Sequence, residues 1–187
     1  NVIMAASLAK GETIITNAAM EPEITQLAEY LVNMGAKING IGTPILEIEG
    51  VDELYPANVK NICDRIEAGT LLTAAAITKS KIEIVYPDYK HFRAVLSKFE
   101  DSGAKISIDK DIVSIDAENL EAVSVDVNTS IYPGFPTDMQ AQWAAFMSLA
   151  GGICKVTDNI YTDRFNYVPE LNRLGADIQV TNNSAVI

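Results

Sequence analysis

The chain has 187 residues, which is enough for one domain of ordinary size or for parts of two. Hydrophobic residues make up 48% of it but lie in short periodic runs, none close to the ~20 apolar residues of a membrane span. The net charge of −11 argues against a nucleic-acid partner, because a phosphate backbone attracts Lys and Arg. We therefore expect neither a membrane protein nor a nucleic-acid-binding protein.

The first third of the chain predicts a unit of five elements. The second helix of the unit carries its apolar residues on one face, and Gly35 follows it. Helices often end in a left-handed residue, a conformation that glycine adopts without a Cβ clash. The predicted elements are a helix over residues 2–9, a strand over 13–16, a helix over 24–34 and a hairpin of strands over 37–39 and 45–48.

The same order of elements recurs twice more. Gly103 and Gly175 take the place of Gly35 in the second and third units, so the three glycines follow one another at intervals of about 70 residues. This repetition predicts an α/β (α+β) fold of helix-strand-helix-strand-strand units, with sheets packed around buried helices that are apolar on most faces. The predicted elements are helices over 66–78, 89–99, 139–150 and 165–174, and strands over 59–62, 82–85, 106–108, 112–115, 123–127, 154–157, 178–180 and 185–187.

The best candidate for a linker is the segment 51–60, which holds Pro56 between apolar runs. The chain begins within a predicted helix and stops on a predicted strand. We therefore expect it to be a fragment of a longer repeat array.

The two cysteines, Cys63 and Cys154, each lie beside an isoleucine and are expected to be small buried residues. Without a spacing pattern they predict no disulfide framework, and a reducing cytoplasmic setting fits best. The N-terminus lacks the positive charge of a signal peptide. The sequence shows no glycine-rich phosphate loop, no metal-ligand cluster and no Ser/His/Asp set, so no cofactor or metal is predicted.

The most informative segment is 132–142, where two prolines and a glycine predict a rigid loop that leads into a helix. Asp138 falls in the first turn of that helix. One interpretation is that its charge complements the helix dipole. The other is that it accepts a proton from a substrate hydroxyl.

Asp64 and Arg164 are the other two candidates. Asp64 has the same position in the second unit as Asp138 has in the third. It is either an acid at a helix start beside a local ion pair or a charged group at a cleft. Arg164 follows a strand at a helix start. It could hold a carboxylate or phosphate with a bidentate fork, or form a surface ion pair with Asp163.

Several of these segments, taken in order, resemble the UDP-N-acetylglucosamine 1-carboxyvinyltransferases of the enolpyruvyl transferase family. The resemblance runs the whole length of the chain, and its most specific part is the run from Pro136 to Gln142. The segments are Asn17-Ala18-Ala19-Met20-Glu21-Pro22-Glu23-Ile24, Asp64-Arg65-Ile66-Glu67-Ala68-Gly69-Thr70, Phe135-Pro136-Thr137-Asp138-Met139-Gln140-Ala141-Gln142 and Asp163-Arg164-Phe165.

The resemblance implies a fold of two similar domains, each of three units, with the active site in the cleft between them. Residues 1–62 would be the last unit of one domain, and 63–187 the first two units of the other. The segment 51–60 would then lie at a hinge.

The resemblance also implies the reaction: the enolpyruvyl group of phosphoenolpyruvate moves to the 3-hydroxyl of UDP-N-acetylglucosamine with loss of phosphate, the first committed step of peptidoglycan synthesis. Asp138 matches the family's proposed base, which also binds the sugar. Ile160 matches a backbone contact to the sugar nucleotide, Arg164 an arginine near the phosphoenolpyruvate carboxylate, and Asp64 an acid lining the cleft.

Thr162 departs from the family pattern, which has glutamate there, so support for Arg164 would fall to Asp163. The family's mobile loop with its acid, its Lys-Asn pair and a further arginine have no counterpart in these 187 residues, which we expect to be inactive alone. Two alternatives stay open: transfer to shikimate 3-phosphate, in which the loop from Pro136 to Gln142 reads differently, and a non-catalytic repeat module that binds a partner.

Overall fold

The computed structural model describes residues 1–86 and 88–187. The chain divides into two compact units, Asn1–Ile62 and Cys63–Ile187, and each has its own hydrophobic core. The assignment of these units to the last repeat of one domain and the first two of another stays a prediction. No helix in the described part of the chain is long and apolar enough to cross a membrane.

The first unit is one antiparallel sheet covered by helices. Its strand order is β1-β3-β2, so the third strand in sequence lies in the centre. Leu46 and Ile48 point from that central strand into the core, where Ala28 and Leu31 meet them. The elements are α1 Val2–Ser7, β1 Glu12–Thr16, α2 Pro22–Asn33, β2 Lys37–Asn39 and β3 Ile45–Glu49.

The second unit holds two sheets. The first has the order β4-β6-β5 and is antiparallel, whereas the second has the order β7-β8-β10-β9 with β7 parallel to β8. Short 3-10 helices precede α4 and α5. The elements are α3 Arg65–Ile77, β4 Lys81–Val85, a 3-10 helix Tyr89–Phe92, α4 Arg93–Asp101, β5 Lys105–Asp109, β6 Ile112–Asp116, β7 Val127–Asn128, a 3-10 helix Thr137–Met139, α5 Gln140–Met147, β8 Lys155–Thr157, α6 Val168–Arg173, β9 Gln179–Thr181 and β10 Ser184–Val186.

The helix ends show the predicted threefold repetition at atomic detail. Gly35, Gly103 and Gly175 have φ of +105°, +95° and +106°. In each case the amide after the glycine bonds to the carbonyl five residues earlier, at 2.9, 3.0 and 3.1 Å. This is the Schellman arrangement, which satisfies carbonyls that the last helical turn leaves open.

Helices α3 and α5 pack closely because small residues line α3. A Cβ added to Gly69 would lie 2.9 Å from the Met139 sulfur, so this glycine lets α3 approach the 137–139 turn. Trp143 of α5 is fully buried. The turn that carries Asp138 is therefore seated on a packed core.

Four expectations about local structure were wrong. Residues 59–62 form no strand, and the Lys60 carbonyl instead accepts a bond from the Gln26 side chain at 2.9 Å. The strand expected over 123–127 is reduced to β7 and a single bridge from Val123 to Gly151.

The third unit's second helix starts at Val168 instead of residue 165, because a non-helical turn occupies 158–167. Cys63 is exposed, not buried, since it lies in the irregular segment before Asp64, the N-cap residue of α3. Cys154 is buried as expected.

Candidate active site

The loop before Asp138 is closed by backbone hydrogen bonds. The Ser130 amide donates to the Phe135 carbonyl at 3.0 Å, and the Gly134 amide donates to the Ile131 carbonyl at 2.9 Å. Phe135 is buried edge-on against Trp143, with ring centroids 5.7 Å apart. The rigid loop predicted from its prolines and glycine is thus anchored in the core at its far end.

Asp138 lies in the 3-10 helix Thr137–Met139, one turn earlier than the helix in which it was expected. Its neighbour Met139 is fully buried, which leaves the Asp138 side chain on the outside of the turn, 53% exposed. The carboxylate accepts a bond from Arg164 Nη1 at 2.8 Å. Its structural partner is therefore this arginine, and no side-chain cap bond of the helix involves it.

Arg164 contacts three residues. Its Nη1 donates to Asp138 and, at 3.3 Å, to the Thr137 hydroxyl, while its guanidinium carbon lies 5.6 Å from the centre of the Tyr161 ring. Arg164 does not form an ion pair with Asp163, which was the alternative interpretation of this arginine as a surface residue. Asp138 and Thr137 hold Arg164 in place of Asp163, which was expected to do so.

The Asp138–Arg164 pair borders an open cavity of about 340 Å³. A cavity of this size suits a small ligand or part of a larger one. A carboxylate, a guanidinium and an aromatic face all meet there, so the site can bind an anionic group and hold a base close to it. The lining residues are Asp138, Tyr161, Asp163, Arg164 and Asn166.

Behind this surface lies Asp158, which is fully buried. Oδ1 accepts bonds from the Thr129 hydroxyl and from two backbone amides, those of Ile160 and Tyr161, each at 2.8 Å. Oδ2 accepts from the Thr137 hydroxyl at 2.6 Å and from Gln140 Nε2 at 3.2 Å. One carboxylate thus joins three segments of the chain.

Burial opposes ionisation of Asp158, but hydrogen bonds from Thr137, the Tyr161 amide, Thr129 and the Ile160 amide outweigh it and lower the pKa of this carboxyl. It is therefore ionised at neutral pH. A buried anion that is satisfied by donors alone is a stable arrangement only while those donors stay in place.

Of the predicted site residues, the structure brings Asp138 and Arg164 into contact and places Ile160 next to Tyr161, which lines the cavity. The Ile160 amide is occupied by Asp158, so a backbone contact to a ligand would have to use the Ile160 carbonyl. Asp64 takes a structural role: its Oδ1 caps α3 by accepting from the amides of Ile66 and Glu67 at 2.7 and 3.1 Å.

A link nevertheless runs from the Asp64 turn to the Asp138 loop. The guanidinium of Arg65, which is 7% exposed, lies 5.7 Å from the centre of the Tyr132 ring. Gln142 of α5 also donates to the Thr70 hydroxyl of α3 at 3.0 Å. Whether Asp64 touches a ligand stays a prediction.

Asp158 was missed by the sequence interpretation. The only local signal is an Asp-Asn pair directly after a strand, which is typical of an ordinary turn. Its donors come from positions up to 29 residues away, and that convergence is visible only in three dimensions.

A family profile described as EPSP synthase (3-phosphoshikimate 1-carboxyvinyltransferase) matches residues 1–187, the whole chain. The chain belongs to this family. Among curated family members, it is 56% identical over 187 residues to a protein of Chloroherpeton thalassium, and 54% identical over 188 residues to one of Prosthecochloris aestuarii. Both relatives are named UDP-N-acetylglucosamine 1-carboxyvinyltransferase.

These relatives are longer than the chain. The alignments cover all of this chain but 43% and 44% of the two relatives. The chain therefore spans under half the length of the family members it matches.

The family fold is shared with a solved structure, the enolpyruvyl transferase NikO from Streptomyces tendae. The two superpose with a TM-score of 0.86 over 98% of this chain and 44% of NikO, at 20% sequence identity. This likeness concerns the fold, and it agrees with the α/β repeat architecture expected from the sequence.

Proposed function

We propose that the protein containing this chain transfers the enolpyruvyl group of phosphoenolpyruvate to the 3-hydroxyl of UDP-N-acetylglucosamine, with release of phosphate. The observation that carries this proposal is the Asp138 carboxylate, which lies 2.8 Å from Arg164 beside an open cavity, on a turn fixed by buried neighbours. The names of relatives at 56% and 54% identity support the choice of acceptor.

The reaction is an addition followed by an elimination. In the addition, the methylene carbon of phosphoenolpyruvate gains a proton, and the sugar oxygen bonds to the neighbouring carbon as it loses its own proton to a base. In the elimination, the new methyl group loses a proton, the double bond re-forms and phosphate leaves. The products are the enolpyruvyl ether and inorganic phosphate, so atoms and charge balance.

Asp138 is proposed as the base that takes the proton from the hydroxyl. A carboxylate on a fixed turn can be held at hydrogen-bond distance from one substrate atom, which general base catalysis requires. Its Oδ1 accepts a bond from Arg164. An anionic substrate offers Arg164 a second acceptor, so its arrival would release Asp138 toward the hydroxyl.

Arg164 is proposed to bind the phosphoenolpyruvate carboxylate. Its planar fork suits a carboxylate, and the Tyr161 ring and Thr137 hydroxyl hold it in place. Ile160 is proposed to meet the sugar nucleotide through its carbonyl. Asp64 is proposed to face the ligand with the oxygen that does not cap α3.

The proposal includes a cytoplasmic setting and a place in peptidoglycan synthesis. Cys63 and Cys154 are free thiols, as expected in a reducing compartment. The proposed product is an enolpyruvyl sugar nucleotide, which is a precursor of cell-wall polymer.

Transfer to shikimate 3-phosphate is the second candidate, because the family profile carries the name of that enzyme. The two are separated by measuring phosphate release from phosphoenolpyruvate by the full-length protein, with each acceptor offered in turn. Release with UDP-N-acetylglucosamine and none with shikimate 3-phosphate is the expected result. The reverse pattern, or release with neither acceptor, would contradict the proposal.

A further inference from the structure

The buried carboxylate of Asp158 lies between the two turns that form the candidate site. We propose that Asp158 is a positioning residue, which fixes the Asp138 turn and the 160–161 turn relative to each other. This inference rests on the proposed function, because it assigns Asp158 a part in that reaction through Asp138, Arg164 and Ile160.

The Oδ2 side of Asp158 holds the Asp138 turn. Its two donors are Thr137, at 2.6 Å, and Gln140, at 3.2 Å, which stand before and after Asp138 in the sequence. Gln140 is 1% exposed, so it cannot reach a ligand and acts only inside the protein. The backbone that carries the proposed base is thus fastened on both sides to one anion.

The Oδ1 side holds the opposite wall of the cavity. It binds the amides of Ile160 and Tyr161 at 2.8 Å each. Tyr161 supports Arg164 with its ring, and Ile160 is the proposed backbone contact. Base, anion-binding arginine and backbone contact are therefore all set by the position of a single side chain.

The negative charge of Asp158 also fixes which way a hydroxyl points. Thr137 donates its proton to Asp158 and so presents a lone pair to Arg164 Nη1, 3.3 Å away. With asparagine at 158, an amide nitrogen facing Thr137 would compete for that lone pair. Arg164 and Asp138 would then lose part of their alignment.

Asparagine should nevertheless be tolerated by the fold. Gln140 Oε1 is buried and has no hydrogen-bond partner in the described part of the structure. If the Gln140 amide turns over, that oxygen can accept a bond from the new amide at 158. The Oδ1 side can keep its three donors, so Asp158→Asn changes the charge while preserving most of the network.

The test uses the full-length protein, with phosphate release as the assay and thermal unfolding measured alongside. Asp158→Asn is expected to lower kcat by about 10- to 100-fold, the range that a misplaced catalytic group produces. Asp126→Asn is the matched control, because Asp126 also binds a backbone amide, that of Lys155 at 2.7 Å, at the other end of β8. It should leave kcat unchanged.

If Asp158→Asn does not fold, three other variants test the inference: Gln140→Met, Thr137→Val and Thr137→Ser. Gln140→Met removes a donor that no ligand can touch and is expected to lower kcat about 3- to 10-fold. Thr137→Val should lower kcat, and Thr137→Ser, which keeps the hydroxyl, should restore it to within about threefold.

A purely structural Asp158 gives a different pattern: Asp158→Asn and Gln140→Met leave kcat at the wild-type value, whatever their effect on the unfolding temperature. That outcome overturns the inference. Wild-type protein that releases no phosphate with UDP-N-acetylglucosamine contradicts the proposed function instead, so the two failures are distinct.

Discussion

At the scale of single residues, the Asp138–Arg164 pair contributes little to folding, and its proposed role is in ligand binding. Its side chains are 53% and 44% exposed, and ion pairs of this kind contribute about 0–1 kcal/mol to stability. The cost of keeping an arginine beside a carboxylate at an open cavity is therefore small. The benefit is a fixed geometry of opposite charges that an anionic ligand can rearrange.

The substitution Arg164→Lys tests that view. Lysine keeps the charge but loses the bidentate fork and the planar contact with Tyr161, so we expect KM for phosphoenolpyruvate to rise at least about tenfold in the full-length protein. The free energy of unfolding should change by less than about 1 kcal/mol. Arg173→Lys is the control, since Arg173 forms an exposed pair with Glu170 at 2.9 Å. Equal KM values for both variants would argue against a ligand-binding Arg164.

The pH dependence of stability tests the buried anion. Because the pKa of Asp158 is lower in the folded chain than its ordinary value of 3.8, its ionised form stabilises the fold at neutral pH. That contribution is complete above pH 3.8 and is lost as the pH falls through the folded-state pKa.

Urea unfolding of these 187 residues and of the Asp158→Asn variant measures this effect. The variant should be less stable by about 1–3 kcal/mol at pH 7, and the difference should shrink below pH 3.8. A difference that stays constant down to pH 2.5 would show that the charge of Asp158 does not stabilise the fold.

Sequence patterns single out the outer residues of the candidate site but not the buried residues behind them. Asp138 and Arg164 stand in short segments that resemble family motifs, so each was found in isolation. Their direct contact was not predicted, because a separation of 26 positions in the chain says nothing about the distance in space. Asp158 resembles an ordinary turn residue in sequence and becomes distinctive only through donors from three segments.

At the scale of elements, the helix ends carry the repeat. All three glycines lie in the left-handed region. The strand that follows each glycine pairs with the next strand in the chain: β2 with β3, β5 with β6, and β9 with β10. Hydrophobic period and a helix-ending glycine are local signals, so these elements were predictable. The strand expected over 59–62 was not formed, since a short segment becomes a strand only beside a neighbouring strand, which the sequence does not reveal.

Gly103→Ala tests the helix end. Its φ of +95° strains any residue with a Cβ, and the nearest atom to an added Cβ is 3.7 Å away, so the cost comes from the backbone alone. We expect a loss of about 1 kcal/mol in the free energy of unfolding. Gly151→Ala is the control, because its added Cβ would lie 3.8 Å from the Ala122 carbonyl oxygen and φ is not left-handed. Equal stabilities of the two variants would contradict the assignment of Gly103 as a left-handed residue that ends the helix.

At the scale of the whole chain, the two units differ in how much core they bury. The Cys63–Ile187 unit holds the large buried aromatic cluster around Trp143, whereas the Asn1–Ile62 unit relies on a few aliphatic side chains. A segment of about 60 residues is close to the lower limit for independent folding. The larger unit should therefore fold when the smaller is absent.

Expressed alone, residues 63–187 should give one cooperative unfolding transition by circular dichroism, with Trp143 fluorescence following the same curve. Residues 1–62 alone should be markedly less stable. A gradual, non-cooperative loss of signal from residues 63–187 would mean that the boundary at Ile62 does not separate folding units.

The central claim, that Asp138 acts as the base of an enolpyruvyl transferase, is tested most directly by Asp138→Asn in the full-length protein. Asparagine has nearly the same size and can still accept a bond from Arg164, but it cannot take a proton. Phosphate release with UDP-N-acetylglucosamine should fall at least about 100-fold, with the thermal unfolding temperature unchanged. Turnover close to that of the wild type, with or without a change in stability, would contradict the assignment of Asp138 as the base.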